Sequence, residues 1–188
     1  MTATPLKLHW WKGVPNFGDA VSAHVVSYVS GRKVEHARPR HADLFAVGSM
    51  LQTARRAFQE GPRQEGAKTW IWGTGTLGVV NRDFLKNVSV GCARGPISAA
   101  LLKLDTEQFG DPGLLINEVL SDVPKRTDRI GIVPHHTLMD DPVLKALIAA
   151  DPAYLLIDPR AVAEDVCLQI ASCAHVFASS LHGLIVAD

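Results

Sequence analysis

Short apolar runs alternate along this chain with small or polar loops and with segments of helical periodicity. The clearest example is the last one, where the apolar run Val176-Phe177-Ala178 opens into Ser179-Ser180-Leu181-His182-Gly183 and then Leu184-Ile185-Val186-Ala187. This order predicts a buried strand, a tight turn and the first turns of a helix. Strands separated by helices of roughly ten residues are typical of βαβ units with parallel sheets. The alternation therefore indicates the α/β class, in which ligands bind at the carboxyl ends of the strands.

The alternation predicts two successive series of elements. The predicted strands are residues 6–11, 43–47, 69–72 and 88–92 in the first series, and 129–133, 154–157 and 175–178 in the second. Helices are predicted from Asp19 to about Gly31, from Pro96 to Leu104, and over 142–150 and 161–171. Asp19 is a good candidate for the N-cap of the first helix. The polar stretch 59–68 is predicted to be a loop.

A charged, proline-containing stretch at residues 121–128 separates the two series. Such composition is typical of an interdomain linker. We therefore expect an N-terminal Rossmann-like domain over 1–122, a linker over 123–128 and the start of a second Rossmann-like domain over 129–188. Because the chain ends at Asp188, within a predicted helix, we expect this second domain to be truncated.

Composition excludes several classes of function. The 19 basic and 19 acidic side chains cancel, so no overall charge favours nucleic acid or a membrane surface. No apolar run approaches the roughly 20 residues that span a bilayer, and the N-terminus lacks the pattern of a signal peptide. The three cysteines form no CxxC pair, which favours reduced thiols in a cytoplasmic protein, with Cys167 and Cys173 in the core.

An ordered set of short motifs resembles the polysaccharide pyruvyl transferase family, and within it the bacterial exopolysaccharide ketal transferases. The motifs are Asn16-Phe17-Gly18-Asp19, Gly73-Thr74-Gly75, Arg94-Gly95-Pro96-Ile97-Ser98, Gly110-Asp111-Pro112, Val133-Pro134-His135, Ile157-Asp158-Pro159 and Ser180-Leu181-His182-Gly183. The resemblance implies a fold similar to the GT-B glycosyltransferases, with two Rossmann-like domains and the site between them. It also implies transfer of a pyruvyl group from phosphoenolpyruvate to two sugar hydroxyls, with release of phosphate.

The same resemblance sets expectations for ligands and location. Phosphoenolpyruvate is the donor substrate, the acceptor is a sugar or a lipid-linked oligosaccharide, and no metal or organic cofactor is expected. Such an enzyme would work in the cytoplasm. The resemblance is compatible with peripheral association at the inner face of the membrane and with a homo-oligomer. The family's chains continue beyond the Leu-His-Gly helix, and some members carry an arginine where this chain has Ser180.

Candidate roles follow for individual residues. His182 is the expected proton donor to the methylene carbon of the donor, because imidazole holds and releases a proton near neutral pH; it could instead only cap the strand-to-helix turn. Arg94 has a planar fork that suits a phosphate or carboxylate, although it could form a structural ion pair. Asp19 and Asn16 could hold the acceptor, with Asp19 taking a hydroxyl proton, or could serve only as helix cap and turn residue.

The remaining candidates are predicted to line the site. They are Gly73 and Thr74 in a tight turn, Ser180 and Leu181 beside the histidine, and His135 in the donor pocket. The pair His135-His136 has no second ligand pair with the spacing of a zinc site, so no metal site is predicted. Two other functions stay open: a GT-B glycosyltransferase that uses a nucleotide-sugar donor, and a non-catalytic, truncated relative that binds sugar.

Overall fold

A computed structural model describes residues 4–188, which divide into two compact units. Unit 1 contains residues 4–11 and 22–112, and unit 2 contains residues 12–21 and 113–188. Each unit holds one parallel sheet, which confirms the predicted α/β class with two Rossmann-like sheets, the second smaller. None of the helices in residues 4–188 is long and apolar enough to cross a lipid bilayer.

The sheet of unit 1 has five parallel strands in the order β2-β1-β3-β4-β5. The strands are β1 (Leu6–His9), β2 (Val34–His36), β3 (Leu44–Phe45), β4 (Thr69–Trp72) and β5 (Val88–Cys92). The helices that contribute to this unit are α1 (Phe17–Ser30, from Ser22 onward), α2 (Leu51–Phe58) and α3 (Pro96–Leu102). The strand order reverses between β1 and β3, and the loops at such a reversal diverge and leave a crevice for ligands.

Apolar side chains cover both faces of this sheet. On one face the buried side chains of α2, among them Phe58, pack with Phe45 and Ile71 of the strands. On the other face Val26 of α1 packs with Leu8 of β1. Apolar side chains therefore pack on both faces of the sheet, as is usual for parallel strands, although Trp70 of β4 is 50% exposed.

Unit 2 has a three-stranded parallel sheet in the order β7-β6-β8. Its strands are β6 (Ile130–Val133), β7 (Tyr154–Leu156) and β8 (His175–Ala178), and its helices are α4 (Ile116–Val119), α5 (Pro142–Ala150), α6 (Ala163–Ala171) and α7 (Leu181–Ala187). Val166 and Cys167 of α6 are fully buried, together with Val133 and Ile157. Cys173 is buried as well, so the prediction that Cys167 and Cys173 are core residues is confirmed.

The predicted strands are all present, most of them with the predicted bounds or one to two residues shorter. Three helices or strands lie outside the predicted set: the four-residue helix α4, the short, exposed strand β2 and the eight-residue helix α2. The helix has an apolar stripe at Leu51, Ala54 and Phe58, all buried, which is the i, i+3, i+7 pattern of an amphipathic helix. Residues 123–128 contain no helix or strand.

The prediction that Asp19 caps α1 is wrong. The helix begins at Phe17, two residues earlier. Asn16 precedes it, and the Oδ1 atom of Asn16 accepts a hydrogen bond of 3.0 Å from the backbone N–H of Gly18. This is the contact that an N-cap side chain makes, so Asn16 has the capping role and Asp19 lies in the first turn of the helix.

Candidate functional site

Arg94 follows β5 at the carboxyl edge of the unit 1 sheet, where loops from three strands meet. Its Nη1 atom donates to the backbone oxygen of Gly48 at 3.3 Å and to the hydroxyl of Ser49 at 3.1 Å. Gly48 and Ser49 follow β3, at the reversal of strand order. We call Arg94, Gly48, Ser49, Gly75 and Asp111 the arginine cluster.

Gly75 gives the guanidinium its space. A Cβ atom at this position would overlap the Cζ and Nη2 atoms of Arg94. The backbone of Gly75 is itself fixed, since its N–H donates to Gly48 at 2.9 Å and its oxygen accepts from Leu51 at 3.0 Å. The guanidinium therefore packs against the backbone of Gly75, at a position that has no side chain.

Thr74 connects the same loops but is buried. Its hydroxyl donates to the backbone oxygen of Gly48 at 2.7 Å and accepts from the N–H of Met50 at 3.0 Å. Gly73, with a φ of 70°, makes the turn that β4 needs before Thr74, a conformation that glycine adopts without steric cost. The side chain of Thr74 thus shapes the arginine cluster, and its predicted contact with substrate stays a prediction.

The turn that carries Asp111 is fastened to the segment that carries Arg94. Gly110 donates to Ala93 at 3.2 Å, and Ala93 and Phe109 form a parallel bridge. Asp111 is buried, and its carboxylate acts on Arg94. Burial lowers the pKa of the Arg94 guanidinium, whereas the charge of Asp111 raises it. Arg94 remains a cation, because arginine does not lose its proton in proteins.

Unit 2 brings three of the motifs together around His182. The backbone of Gly18 lies against the imidazole, so a Cβ at Gly18 would overlap Nδ1 of His182 and lie only 2.6 Å from Cγ. Phe17 donates its N–H to the backbone oxygen of Pro159 at 2.8 Å. We call Asn16, Gly18, Asp19, Pro159 and His182 the histidine cluster.

His182 is buried, and Asp19 is partly buried. His182 is 8% exposed, and it lies in the first turn of α7, which begins at Leu181. Burial raises the pKa of the Asp19 carboxyl to about 6. A carboxyl with this pKa can exchange protons close to neutral pH, which is the property expected of a general base.

The other candidates in unit 2 lie at the carboxyl edge of its sheet. Ser180 is buried beside His182, whereas Leu181 is about half exposed. His135 caps a short 3₁₀ helix: its ring Nδ1 is 2.8 Å from the hydroxyl of Thr137, and its backbone N–H donates to the hydroxyl of Ser179 at 2.8 Å. The ring of His135 therefore has a local structural role, and its predicted place in the donor pocket stays a prediction.

The predicted site residues thus fall into two groups. Gly73, Thr74 and Arg94 belong to unit 1, and Asn16, Asp19, His135, Ser180, Leu181 and His182 belong to unit 2. The sequence did not indicate Ser49 as a partner of Arg94, nor Gly18 as the surface under His182. In residues 4–188, no three His, Cys, Asp or Glu side chains gather in an arrangement that could hold a metal ion.

Comparison with known proteins agrees with the motifs. The model of the polysaccharide pyruvyl transferase family matches residues 6–188, which is nearly the whole chain. The chain therefore belongs to the polysaccharide pyruvyl transferase family, a family of enzymes. No curated protein and no solved structure gives a significant match.

Proposed function

We propose that the chain is a ketal-forming pyruvyl transferase, which moves a pyruvyl group from phosphoenolpyruvate to two hydroxyls of an exopolysaccharide sugar or its lipid-linked repeat unit. Membership of the family supports this class of reaction. The observation that carries the choice of residues is the packing of Gly18 against the imidazole of His182. This packing joins the Asp19 segment to His182, so a candidate base and a candidate acid belong to one cluster.

The reaction converts an enol phosphate into a ketal. The methylene carbon of the donor gains a proton and becomes a methyl group. The central carbon forms bonds to two sugar oxygens, and its bond to the phosphate oxygen breaks. Two hydroxyl protons are lost: one balances the proton on the methyl group, and the other leaves with phosphate. The enzyme therefore has to supply a proton, remove protons and bind an anionic donor.

We assign His182 as the donor of the proton to the methylene carbon. An imidazole can carry that proton at neutral pH, and a nearby anionic substrate favours its charged form. Its burial supports this role, because a buried ring held against a backbone keeps one orientation. A fixed orientation matters, since the reacting atoms have to approach to about 3–3.5 Å.

We assign Asp19 as the base that takes a proton from an attacking hydroxyl, with Asn16 beside it on the acceptor side. A pKa of about 6 leaves the carboxyl mostly ionised at neutral pH while making it a stronger base than an ordinary aspartate. Since the side chain of Asn16 caps α1, its contact with the acceptor would come from the part of the amide that does not bond Gly18.

We assign Arg94 to the phosphate or carboxylate of the donor. Only its Nη1 atom bonds the loop at Gly48 and Ser49, and guanidinium has five N–H donors in a fork that suits such anions. Gly73, Thr74, Ser180, Leu181 and His135 are proposed to complete the donor and acceptor surroundings. We propose that the enzyme works in the cytoplasm, where phosphoenolpyruvate is made.

Phosphate release tests this function. The chain is mixed with phosphoenolpyruvate and a candidate lipid-linked oligosaccharide, and the product is examined by NMR for the new ketal methyl group. We expect phosphate and ketal in equal amounts with the unaltered chain, and neither with His182→Ala. Thermal stabilisation by nucleoside diphosphates but not by phosphoenolpyruvate would instead support the glycosyltransferase alternative, because a ligand stabilises the fold that binds it.

A further inference from the structure

The carboxyl edge of the unit 1 sheet holds the arginine cluster, and the amino edge holds two cavities. All five strands are parallel, so their amino ends lie together, opposite the edge that carries Arg94. One cavity, of about 290 Å³, is lined by Lys7, Arg40, His41, Arg63, Gln64 and Glu65. The other, of about 370 Å³, has Arg32, Asp43, Arg63, Lys68 and Trp70 among its lining residues. Because Arg63 lines both cavities, they adjoin, and we call the two together the amino-edge site.

Basic side chains outnumber acidic ones in the lining of this site. The lysines and arginines are Lys7, Arg32, Arg40, Arg63 and Lys68. The carboxylates of the lining are those of Asp43 and Glu65, although the chain as a whole has zero net charge. Among the flanking acidic residues, Glu35 forms an ion pair with Lys33 at 3.3 Å, and Glu60 is exposed. The excess of positive charge favours an anionic ligand.

Backbone carbonyl oxygens, rather than carboxylates, hold three of these cations. Arg32 donates to Thr4 at 3.0 Å from Nε, Arg40 donates to Ala57, and Lys68 donates to Lys86 at 2.6 Å. A carbonyl oxygen fixes the position of a cation without cancelling its charge. Arg63 differs, since it forms an ion pair with Asp43. The ammonium of Lys7 makes no hydrogen bond or ion pair with any residue from 4 to 188, so it is available to a ligand.

Trp70 adds an aromatic wall to the second cavity. Its side chain is 50% exposed, whereas Thr69 and Ile71, its neighbours on β4, are buried. The ring lies beside Gly91 of β5, where a Cβ atom would be 3.5 Å from it. Glycine at that position leaves the indole without a neighbouring side chain on β5. A half-exposed indole offers a flat apolar surface to a planar ring.

We propose that the amino-edge site binds a nucleoside diphosphate or triphosphate, with the base on Trp70 and the phosphates at Lys7 and Arg40. Bases stack on aromatic side chains, and guanidinium binds phosphate through paired hydrogen bonds. Ligand cavities usually have volumes of about 300–1,000 Å³, so two small adjoining cavities fit a small molecule of two parts. Since the arginine cluster lies at the opposite edge, this site is separate from the proposed donor site, and its existence does not depend on the proposed function.

Calorimetric titration with ADP, pyrophosphate and adenosine tests the proposal. We expect ADP to bind with an affinity that falls as the salt concentration rises. Pyrophosphate and adenosine should each bind at least about fivefold more weakly than ADP, because each lacks one of the two recognised parts. No binding of ADP at millimolar concentration would overturn the proposal, and so would equal affinities for ADP and pyrophosphate.

A charge reversal at Lys7 tests the phosphate end. Lys7→Glu should lower the affinity for ADP at least about tenfold, because it replaces an attractive charge with a repulsive one. The fold should be retained, since the ammonium of Lys7 has no partner within residues 4–188. Lys125→Glu is the matched control, with the same change of charge at an exposed position in unit 2. Equal affinities of the two variants for ADP would overturn the placement of the phosphates.

A pair of tryptophan variants tests the aromatic end. Trp70→Leu should lower the affinity for ADP at least about fivefold, because it removes the stacking surface. Trp11→Leu is the matched control, since Trp11 is 52% exposed but follows β1 at the carboxyl edge. ADP should quench the tryptophan emission of the unaltered chain and of Trp11→Leu, and not that of Trp70→Leu. Quenching that persists in Trp70→Leu would overturn the stacking.

The same variants separate this site from the glycosyltransferase alternative. A nucleotide-sugar site at the carboxyl edge would bind ADP equally well in Lys7→Glu and in Trp70→Leu, and that result would overturn the amino-edge site. None of these titrations uses turnover or an acceptor. Release of phosphate from phosphoenolpyruvate can therefore succeed or fail independently, so failure of this proposal is distinguishable from failure of the proposed function.

Discussion

The arginine cluster and the histidine cluster hold their ionisable groups in opposite ways. Arg94 donates to a carbonyl and a hydroxyl, and the charge of Asp111 offsets part of the effect of burial on its pKa. Asp19 is partly buried, and there the loss of hydration raises the pKa of the carboxyl to about 6. His182 is placed by packing against a glycine. The arginine cluster thus preserves the charge of Arg94. The histidine cluster brings the pKa of Asp19 closer to neutral pH, so that its carboxyl can be protonated or ionised there.

This difference suits a division of labour between binding and chemistry. A group that anchors an anion should keep its charge and orientation at every step, which bonds from a rigid loop provide. A group that moves a proton should have a pKa near the working pH, which burial provides. The predictions below test the division, since changes in the histidine cluster should act on turnover and changes in the arginine cluster on affinity for the donor.

Replacement of His182 by Ala should have the largest effect. We expect turnover to fall about 10³-fold, because general acid catalysis contributes roughly 10²–10⁴-fold. Affinity for phosphoenolpyruvate, measured by calorimetry, should change less than about threefold. A large loss of donor affinity with turnover preserved would place His182 in binding and reverse the comparison.

Gly18→Ala should come next, with about a 100-fold loss of turnover. The added methyl group would displace the imidazole of His182, and a displacement of about 1 Å at a reacting group can cost this much. Gly61→Ala is the matched control, since a Cβ there meets nothing within 4 Å. Equal activity of the two variants would show that the orientation of His182 is not set by Gly18.

Arg94→Lys should weaken donor binding about 10- to 50-fold with a smaller change in turnover, because lysine cannot make the paired hydrogen bonds of the guanidinium. Gly75→Ala should have an effect in the same direction, since its Cβ would push the guanidinium away from the loop. Calorimetric titration with phosphoenolpyruvate measures the donor affinity of both variants. If donor affinity is unchanged in both variants, Arg94 does not bind the donor.

Asp19→Asn should make the fold more stable at neutral pH. The pKa of Asp19 is higher in the folded chain, about 6, than its ordinary 3.8, so the folded state binds the proton more tightly. Stability is therefore lost as the pH rises from about 4 to above 6, by up to about 3 kcal/mol. Removing the charge should recover about 1–2 kcal/mol at pH 8, after the burial of the amide is counted.

Urea unfolding at pH 4 and pH 8 checks this prediction. The variant and the unaltered chain should agree more closely at pH 4, where the carboxyl is largely protonated in the fold. A difference that is the same at both pH values would show that burial does not penalise the charge of Asp19. If Asp19→Asn is more stable than the unaltered chain but has a lower turnover, then Asp19 serves the reaction at the expense of stability.

The sequence predicts the parallel sheets well because their strands are buried apolar runs bounded by small residues. The strands at 69–72, 88–92 and 175–178 have the predicted bounds. The helix α2 is not among the predicted elements, although its apolar stripe at Leu51, Ala54 and Phe58 is regular, because Met50 at its N-cap position is not a capping residue and gives no start signal. The strand β2 has only three residues and no buried face, so it leaves little signal.

The candidate site is predictable in its parts but not in its contacts. Arg94 and His182 stand out because each follows a strand. Their partners do not, since Ser49 is 45 residues from Arg94 in sequence and Gly18 is far from His182. Contacts between distant loops depend on strand order, which a single sequence leaves open. The capping of α1 was misassigned for a local reason: Asn16 and Asp19 are both good N-cap residues, and the bond to Gly18 favours Asn16.

Cysteine placement offers a reporter for one half of the molecule. Cys167 and Cys173 are buried in unit 2, and burial raises the pKa of Cys167 to about 12, so alkylating reagents should leave it unmodified. Cys92 is partly exposed and lies two residues before Arg94, and burial raises the pKa of its thiol as well. Because Cys92 is the more accessible thiol, a thiol-reactive dye should label unit 1 selectively at alkaline pH, and phosphoenolpyruvate should slow the labelling about twofold or more if Arg94 holds it. The unmutated chain thus contains, in Cys92, an attachment point for a fluorescent dye that would report binding of phosphoenolpyruvate.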